Sequence, residues 1–437
     1  MKKIIVLRMR ITMCLVCLFI LAHTNAQNVN VGGIKYYLYP ETHEAAINNG
    51  STWIGELNIP SEIEHNGERY TVTGITNNAF LDSSELTKVR IPKTIDHIVH
   101  GALSDDPNIT GEISSDAMNP FHRCIALESI EVDENSPIMS SENGILYSKD
   151  KTQLYCYPAG KQQEEYAIPE NVTWIGCVAI SNNHYLSSLT IPNSVTYCGS
   201  ICDNCINLEH VKLSENITYI PAYSFDKCES LKFIELPSGV TYMGESAFRS
   251  CSSLESVVLP PNITFIGSCA FMDCTNLKTI ELPTSLDYIE YGMFIGCANL
   301  NMIAIPDGVT SIGSSAFDGC SSLKELDIPS SVTNIGCAFS GCKFNHLIIR
   351  GRLRYLNWYT FNGMDTSTTI YTLTSQVEDL KKIYEGEVLP LEEYIDGIEQ
   401  VKLRQPSSIS FDLQGRRLND KPSKGIYIQN GKKVVIK

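Results

Sequence analysis

Three cysteines close together in the sequence have the residue type and spacing that could bind a metal ion. Cys198, Cys202 and Cys205 are separated by three and two residues, and closely spaced thiolates are common zinc ligands. A disulfide among them, or with Cys177, is a second interpretation. The third is that all three are core side chains, because each falls at a repeated apolar or cysteine position. We favour the core and predict neither a metal nor a cofactor, while the other two alternatives stay open.

A regularly spaced set of aromatic residues is the second candidate site. They occupy the position that usually follows a repeated threonine: Trp174, Tyr197, Tyr219, Tyr242, Phe265 and Tyr288. Aromatic rings stack on sugars and anchor protein interfaces. If this position faces solvent, it predicts a ligand-binding stripe about 24 Å long at the spacing of neighbouring strands. The alternative is a ladder of rings that stack on one another and protect the fold.

The histidines do not form a recognisable catalytic pattern. His97 and His100 lack the nearby carboxylate or cysteine pattern that a catalytic site requires. His210 and His346 share a repeat position but stand six repeats apart, about 30 Å at strand spacing. We therefore predict that the protein is not an enzyme. The rival prediction, a glycan-active extracellular enzyme, would need clustered carboxylates, for which the irregular segment 96–133 is the candidate.

A 23-residue repeat positions all of these side chains. It is carried by cysteines at one constant interval: Cys205, Cys228, Cys251, Cys274, Cys297 and Cys320. A period of this length predicts a solenoid in which each repeat is one coil. Equivalent side chains then stack in columns, so we expect the cysteines to fill one buried corner of every coil rather than to form disulfides.

Each position of the repeat has a packing interpretation. The apolar alternation of residues 231–236 predicts a short strand paired in parallel with its neighbours, and Pro237 ends it. Gly267 and Gly313 predict a bend with positive φ. Ala247 and Phe248 predict a short helical turn that fills the middle of the coil. The fold class is therefore a solenoid of about 12 coils, mostly of 23 residues, with stacked parallel short strands and short helical turns.

The two ends of the chain differ from the repeats. Four basic residues precede a short apolar run, which predicts a signal peptide at residues 1–26. Its removal would leave 30 basic against 49 acidic residues, a balance that disfavours nucleic acid. We further predict a β-hairpin cap at 27–73 and coils at 74–373, with irregular coils and a projecting hairpin within 92–168. A capping helix and acidic linker at 374–405 and a small β-tail at 406–437 complete the chain.

The repeat resembles that of the BspA-like leucine-rich repeat family of bacterial surface proteins. The resemblance is carried by residues 191–196, Ile-Pro-Asn-Ser-Val-Thr, and 312–323, Ile-Gly-Ser-Ser-Ala-Phe-Asp-Gly-Cys-Ser-Ser-Leu. It covers roughly residues 72–364 and implies an α/β leucine-rich-repeat solenoid with a horseshoe or superhelical form. The tail, with 411–418 and 425–428, resembles C-terminal tails of secreted Bacteroidetes proteins, some of which are sorting signals.

Together, the residues and the resemblance predict a non-enzymatic binding protein. The resemblance implies a secreted or outer-surface protein that binds a protein or glycan in adhesion or host interaction. The periplasm is a second possible location, and a purely structural surface spacer is the alternative function. We expect neither nucleic acid as a partner nor a transmembrane segment in the mature chain, since its apolar runs fall short of the roughly 20 residues of a spanning helix.

Overall fold

The computed structural model of the protein describes residues 26–48, 50–99 and 119–394, and the backbone of four strands between 410 and 436. Apart from Ala26, the predicted signal peptide lies outside the described residues, as does His100. The described chain is a solenoid of about 13 stacked turns with little helix. The predicted solenoid of stacked parallel strands is thereby confirmed.

Each regular coil contributes two short strands, whereas the sequence predicts one. The predicted strand, which we call the main strand, pairs in parallel with its neighbours in several short sheets and ends before the repeated proline. The main strands are Glu165–Ala167, Ser188–Thr190, His210–Lys212, Phe233–Glu235, Ser256–Val258, Thr279–Glu281, Met302–Ala304, Glu325–Ile328, His346–Ile349, Thr369–Thr372 and Val388–Pro390.

The second strand of each coil, which we call the flank strand, is only two residues long. Its first residue is half-buried or exposed and its second is buried, so each flank strand presents one side chain outward and one to the core. The flank strands are Trp174–Ile175, Tyr197–Cys198, Tyr219–Ile220, Tyr242–Met243, Phe265–Ile266, Tyr288–Ile289, Ser311–Ile312 and Asn334–Ile335.

The Ala-Phe segments connect the flank strand to the next coil through successive hydrogen-bonded turns. Phe271 N donates to Met293 O of the following coil, and Cys274 N donates to Phe271 O. The phenylalanine rings are fully buried and stack face to face along the solenoid, with centroids 5.7 Å apart between Phe248 and Phe271 and 5.8 Å apart between Phe271 and Phe294. This stack forms the centre of the hydrophobic core.

The repeated glycine does not have the positive φ that the sequence predicts. Gly267 and Gly313 have ordinary φ values, but a Cβ on them would lie 2.5 and 2.7 Å from backbone nitrogens of the preceding coil. Close packing of coil on coil therefore requires glycine here. Positive φ occurs instead just before the cysteine column, as at Lys227 with 57° and Gly319 with 77°.

The N-terminal cap is a mixed sheet. It contains three antiparallel pairs and one parallel pair, from Gln27–Val31, Ile34–Tyr39, Glu44–Ile47, Glu62–His65 and Glu68–Thr76, to which His97–Val99 adds in parallel. Asn66 and Gly67, which join Glu62–His65 to Glu68–Thr76, both have positive φ, as a tight two-residue hairpin turn requires.

Parallel coil pairing begins inside the segment predicted to be the cap. Ile54–Asn58 pairs in parallel with Glu85–Ile91, which pairs with Ser129–Val132. The solenoid therefore starts about 20 residues earlier than the predicted boundary at residue 74.

The hairpin predicted to project from the stack is instead part of it. Met139–Glu142, Ile145–Ser148 and Gln153–Cys156 are antiparallel, and the last strand continues in parallel to Trp174–Ile175. Ile145, Leu146 and Tyr147 are buried. A projecting hairpin would leave this apolar surface in water, so the prediction of a projection is wrong.

The C-terminal end of the solenoid is closed by a very short helix and one further strand. Where the sequence predicts a capping helix and acidic linker at 374–405, the structure has a 3-10 turn, Thr374–Gln376, followed by the four-residue helix Val377–Leu380, without a side-chain cap. Leu380 and Tyr384 are buried against the last coil. Val388–Pro390 pairs in parallel with Thr369–Thr372, so these residues are not the predicted linker.

Part of the C-terminal tail is described as backbone strands. The tail forms a four-stranded antiparallel sheet from Ser410–Phe411, Arg417–Leu418, Gly425–Gln429 and Lys432–Ile436.

Candidate binding surface

The cysteine column is a buried hydrogen-bonding ladder. The cysteines from Cys205 to Cys342 in this column are fully buried. Each thiol lies 3.0 to 3.3 Å from a carbonyl oxygen of the preceding coil, as with Cys251 Sγ and Phe225 O at 3.0 Å and Cys274 Sγ and Phe248 O at 3.1 Å. The side chain is thus small enough for the corner and satisfies a buried carbonyl, which confirms the predicted packing role.

The three clustered cysteines also belong to the core. Cys198, Cys202 and Cys205 are buried, and Cys205 Sγ contacts Ile180 O at 3.1 Å. Burial raises the pKa of the Cys198 thiol to about 12, which opposes the thiolate that zinc requires. All fourteen cysteines of the described residues are thiols. Over those same residues, no group of three histidine, cysteine or acidic side chains has the arrangement of a metal site.

The flank strands align the predicted aromatic stripe. Trp174 pairs with Tyr197, and Tyr219, Tyr242 and Phe265 are in register in the next sheet. Tyr288 begins a third sheet and is followed in the same column by Ser311 and Asn334. One column of the solenoid therefore holds all six aromatic residues.

The rings of the stripe differ in how they pack. Trp174 stacks on Tyr197 with centroids 6.0 Å apart, and Tyr242 stacks on Phe265 at 5.0 Å. Trp174, Tyr197, Tyr219 and Phe265 are half-buried, whereas 46% of Tyr242 and 49% of Tyr288 are exposed. The stripe is therefore partly a stack and partly an open aromatic surface.

Tyr219 is the most firmly held tyrosine of the stripe. Its hydroxyl donates a hydrogen bond of 2.9 Å to Cys198 O, and its ring contacts Tyr197 edge to face. Burial is the main cause that raises the pKa of this phenol above its ordinary value. Its hydroxyl is therefore satisfied inside the protein rather than offered to a ligand.

The structure adds residues that the sequence pattern missed. Tyr155 of the hairpin contacts Trp174 edge to face and extends the stripe by one coil. Tyr355 occupies the same column further on, through a parallel bridge with Asn334. The interval from Asn334 to Tyr355 is two residues shorter than the 23-residue period, so a strict count passes over Tyr355.

The histidines do not assemble into a site in the described part of the chain. His97 Nδ1 lies 2.5 Å from the Asp96 carboxylate, and His346 Nδ1 lies 3.8 Å from Glu325. His346 also contacts the rings of Tyr371 and Tyr394.

Comparison with known families identifies the repeat. The model of the BspA type leucine rich repeat region matches residues 54–147, 150–271 and 241–368, in six copies. The chain belongs to the BspA-type leucine-rich repeat family. The matched region starts at the strand Ile54–Asn58, where parallel coil pairing begins. Among curated proteins, none matches the sequence.

Several solved structures are similar to this chain. A leucine-rich repeat protein from Bacteroides ovatus is 19% identical over 79% of this chain and 100% of its own, with a TM-score of 0.38. A leucine rich cell surface protein from Faecalibacterium prausnitzii is 21% identical over 79% and 100%, with a TM-score of 0.36. The pneumococcal vaccine antigen PcpA is 17% identical over 84% and 98%, with a TM-score of 0.34.

In the part of this BspA-type chain that the structure describes, no helix combines the length and the apolar character that crossing a bilayer would take.

Proposed function

We propose that this protein is a non-enzymatic binding protein of the cell surface or the extracellular space, which engages a protein or glycan through its aromatic stripe. The observation that carries the proposal is the exposure of Tyr242 and Tyr288 in a column where the fold requires no large side chain. Ser311 and Asn334 occupy the same column in the two following coils, so packing alone does not demand an aromatic residue there.

The family supports this role in general terms. BspA-type leucine-rich repeat proteins are typically surface or secreted proteins and generally lack enzymatic activity. A signal peptide at residues 1–26 and a sorting role of the tail 406–437 are further parts of the proposal. Exposed tyrosines suit recognition because each offers a large rigid surface at low entropic cost.

A structural spacer is the second candidate function. It is favoured by the face-to-face contacts of Trp174 with Tyr197 and of Tyr242 with Phe265, which protect neighbouring coils without any ligand.

The proposal is tested by substituting the exposed tyrosines of the stripe. The mature chain is screened on a glycan array and on immobilised extracellular matrix proteins, and the wild type is expected to bind at least one probe. The double variant Tyr242→Ser, Tyr288→Ser should lose at least tenfold in affinity for that probe. Tyr219 is unsuitable for this test because its hydrogen bond gives it a structural role.

Tyr185→Ser is the matched control, since Tyr185 is also 46% exposed but lies outside the stripe. The control should bind like the wild type. Absence of binding to every probe, or equal binding by the double variant, would contradict the proposal and favour the spacer.

A further inference from the structure

The last coils of the solenoid have an unusual charge balance. Between residues 328 and 364 the sequence contains four basic residues and no acidic one, although the whole chain has 49 acidic and 34 basic residues. The four are Lys343, Arg350, Arg352 and Arg354. A local reversal of charge in an acidic protein selects for an anionic partner by complementarity.

Some of these basic side chains interact with acidic residues of the protein itself. Arg350 makes a bidentate ion pair with Asp327, at 2.7 and 2.6 Å. Arg352 interacts electrostatically with Asp379. Arg354 is exposed and has neither an ion pair nor a side-chain hydrogen bond within the described residues, so its guanidinium is available to a ligand.

Three exposed aromatic side chains follow Arg354 in the chain. Tyr355 is 67% exposed, Trp358 is 76% exposed and Tyr359 is 39% exposed. The rings of Trp358 and Tyr359 meet edge to face with centroids 5.6 Å apart. The regular coil that contains Phe317 has Ser314 and Ser315 at the positions of Trp358 and Tyr359, so the fold does not require aromatic residues here.

We propose that Arg354, Tyr355 and Trp358 form a binding site for an acidic saccharide, which goes beyond the function proposed for Tyr242 and Tyr288. Tyr355 lies in the same column as these two tyrosines but three coils beyond Tyr288, so the two sites are separate. The aromatic rings would stack on the C–H faces of sugar rings. The guanidinium would make a bidentate, charge-assisted contact with a carboxylate or sulfate group of the sugar.

Two other partners fit the surface less well. A membrane surface would engage aliphatic side chains beside the aromatic rings, but Leu353 is buried and Leu356 is half-buried. A second protein, including a second copy of this chain, needs about 800 Å² of contact on each partner for a stable interface. Three exposed side chains provide a contact area of roughly a few hundred Å² at most, which is too small for such an interface but suits a short saccharide.

Binding of a heparin-derived octasaccharide to the mature protein tests the site, with neutral maltooctaose as the control probe. The octasaccharide should bind with an affinity that falls as salt is raised, and maltooctaose should bind at least tenfold more weakly. Trp358→Ala and Arg354→Gln should each weaken octasaccharide binding at least tenfold. Trp358→Phe, which keeps a ring, should weaken it by no more than about threefold.

The stripe variant Tyr242→Ser, Tyr288→Ser should leave octasaccharide binding unchanged, so this proposal and the proposed function can fail separately. The inference is overturned if neither the octasaccharide nor a polygalacturonate fragment binds, or if neutral and acidic saccharides bind equally. It is also overturned if Trp358→Ala affects only binding to phosphatidylglycerol vesicles or only self-association of the protein.

Discussion

The cysteine column and the aromatic stripe run along the same coils and repeat with the same period, yet they differ in their exposure to water. Every member of the cysteine column from Cys205 to Cys342 is fully buried, and its thiol satisfies a carbonyl of the preceding coil. In the stripe, by contrast, no side chain is fully buried: Trp174 is partly buried, and 49% of Tyr288 is exposed. Repetition therefore marks a position in the coil, and only exposure separates a packing position from one that can bind a partner.

The largest effect that distinguishes inner from outer columns is expected from the phenylalanines. Phe271→Ala removes a fully buried ring that stacks on two neighbours, and should reduce the free energy of unfolding by about 3–5 kcal/mol. Phe265→Ala removes the same side chain from the half-buried stripe, and should cost less than half as much. Urea denaturation of both variants measures the difference. Equal losses would show that the stripe is as much a part of the core as the phenylalanine stack.

The repeated glycine gives the next largest effect. A Cβ on Gly267 would lie 2.5 Å from Glu245 N, so Gly267→Ala should push two coils apart and cost about 1–3 kcal/mol of stability. Gly239→Ala is the control, because a Cβ there would make an ordinary 3.6 Å contact with Ile217 O. Thermal unfolding should show the loss only at Gly267. A neutral Gly267→Ala would show that the close contact between coils does not require glycine at this position.

The two columns also differ in how far the sequence alone could define them. The 23-residue period predicts the main strand, the buried cysteines and the column of the stripe, because a stacked coil converts sequence spacing directly into spatial alignment. Spacing does not reveal how far a column is exposed, so the mixed burial of Tyr219 and Tyr288 had to come from the structure. The role of Gly267 was mispredicted because a close contact between coils and a positive φ both select glycine.

Irregular segments were predicted least well, for a related reason. The hairpin around Tyr147 lies outside the 23-residue repeat. The residue pattern of the hairpin predicts its strands, but it does not predict which side of those strands packs against the coils. Tyr155 and Tyr355 extend the stripe, but both lie in coils of irregular length. Counting 23 residues fails there. The ring of Tyr155 nevertheless contacts that of Trp174, and the backbone of Tyr355 pairs with Asn334.

A carboxyl group between core and surface gives a pH-dependent prediction. Burial and the neighbouring Asp226 carboxylate raise the pKa of Asp203 from 3.8 to about 6. The folded state therefore binds the proton of the Asp203 carboxyl more tightly than the unfolded state does. Protonation of Asp203 favours the folded state at low pH, and this contribution to stability is lost as the pH rises from about 4 through 6.

Asp203→Asn removes the buried charge and should stabilise the protein by about 1–2 kcal/mol at pH 8, with no gain at pH 4. Denaturant unfolding at both pH values measures the difference. Asp307→Asn, at an exposed carboxyl, is the control and should change stability little at either pH. A gain that is the same at pH 4 and pH 8 would rule out a charge effect at Asp203.

A smaller gain is expected where a non-glycine residue holds positive φ. Lys227 has a φ of 57° at the position that Gly296, Gly319 and Gly341 occupy in later coils. Lys227→Gly should raise the free energy of unfolding by about 1 kcal/mol, because relief of backbone strain exceeds the entropic cost of glycine. Lys232→Gly, outside the positive-φ positions, should instead lower it by about 0.5–1 kcal/mol. Destabilisation by both substitutions would mean that the turn before the cysteine column is not strained.

The smallest effect is expected at the exposed end of the stripe, and it decides how the stripe is to be understood. Tyr288 is 49% exposed and makes no ring contact with another aromatic residue in the described chain, so Tyr288→Ser should change stability by less than about 0.5 kcal/mol. Tyr219→Ser, which removes a half-buried ring and its hydrogen bond to Cys198 O, should cost about 1–2 kcal/mol. If thermal unfolding instead shows equal losses, the whole stripe is a structural ladder; if only Tyr219 matters, the tyrosine at the open end is held for a partner rather than for the fold.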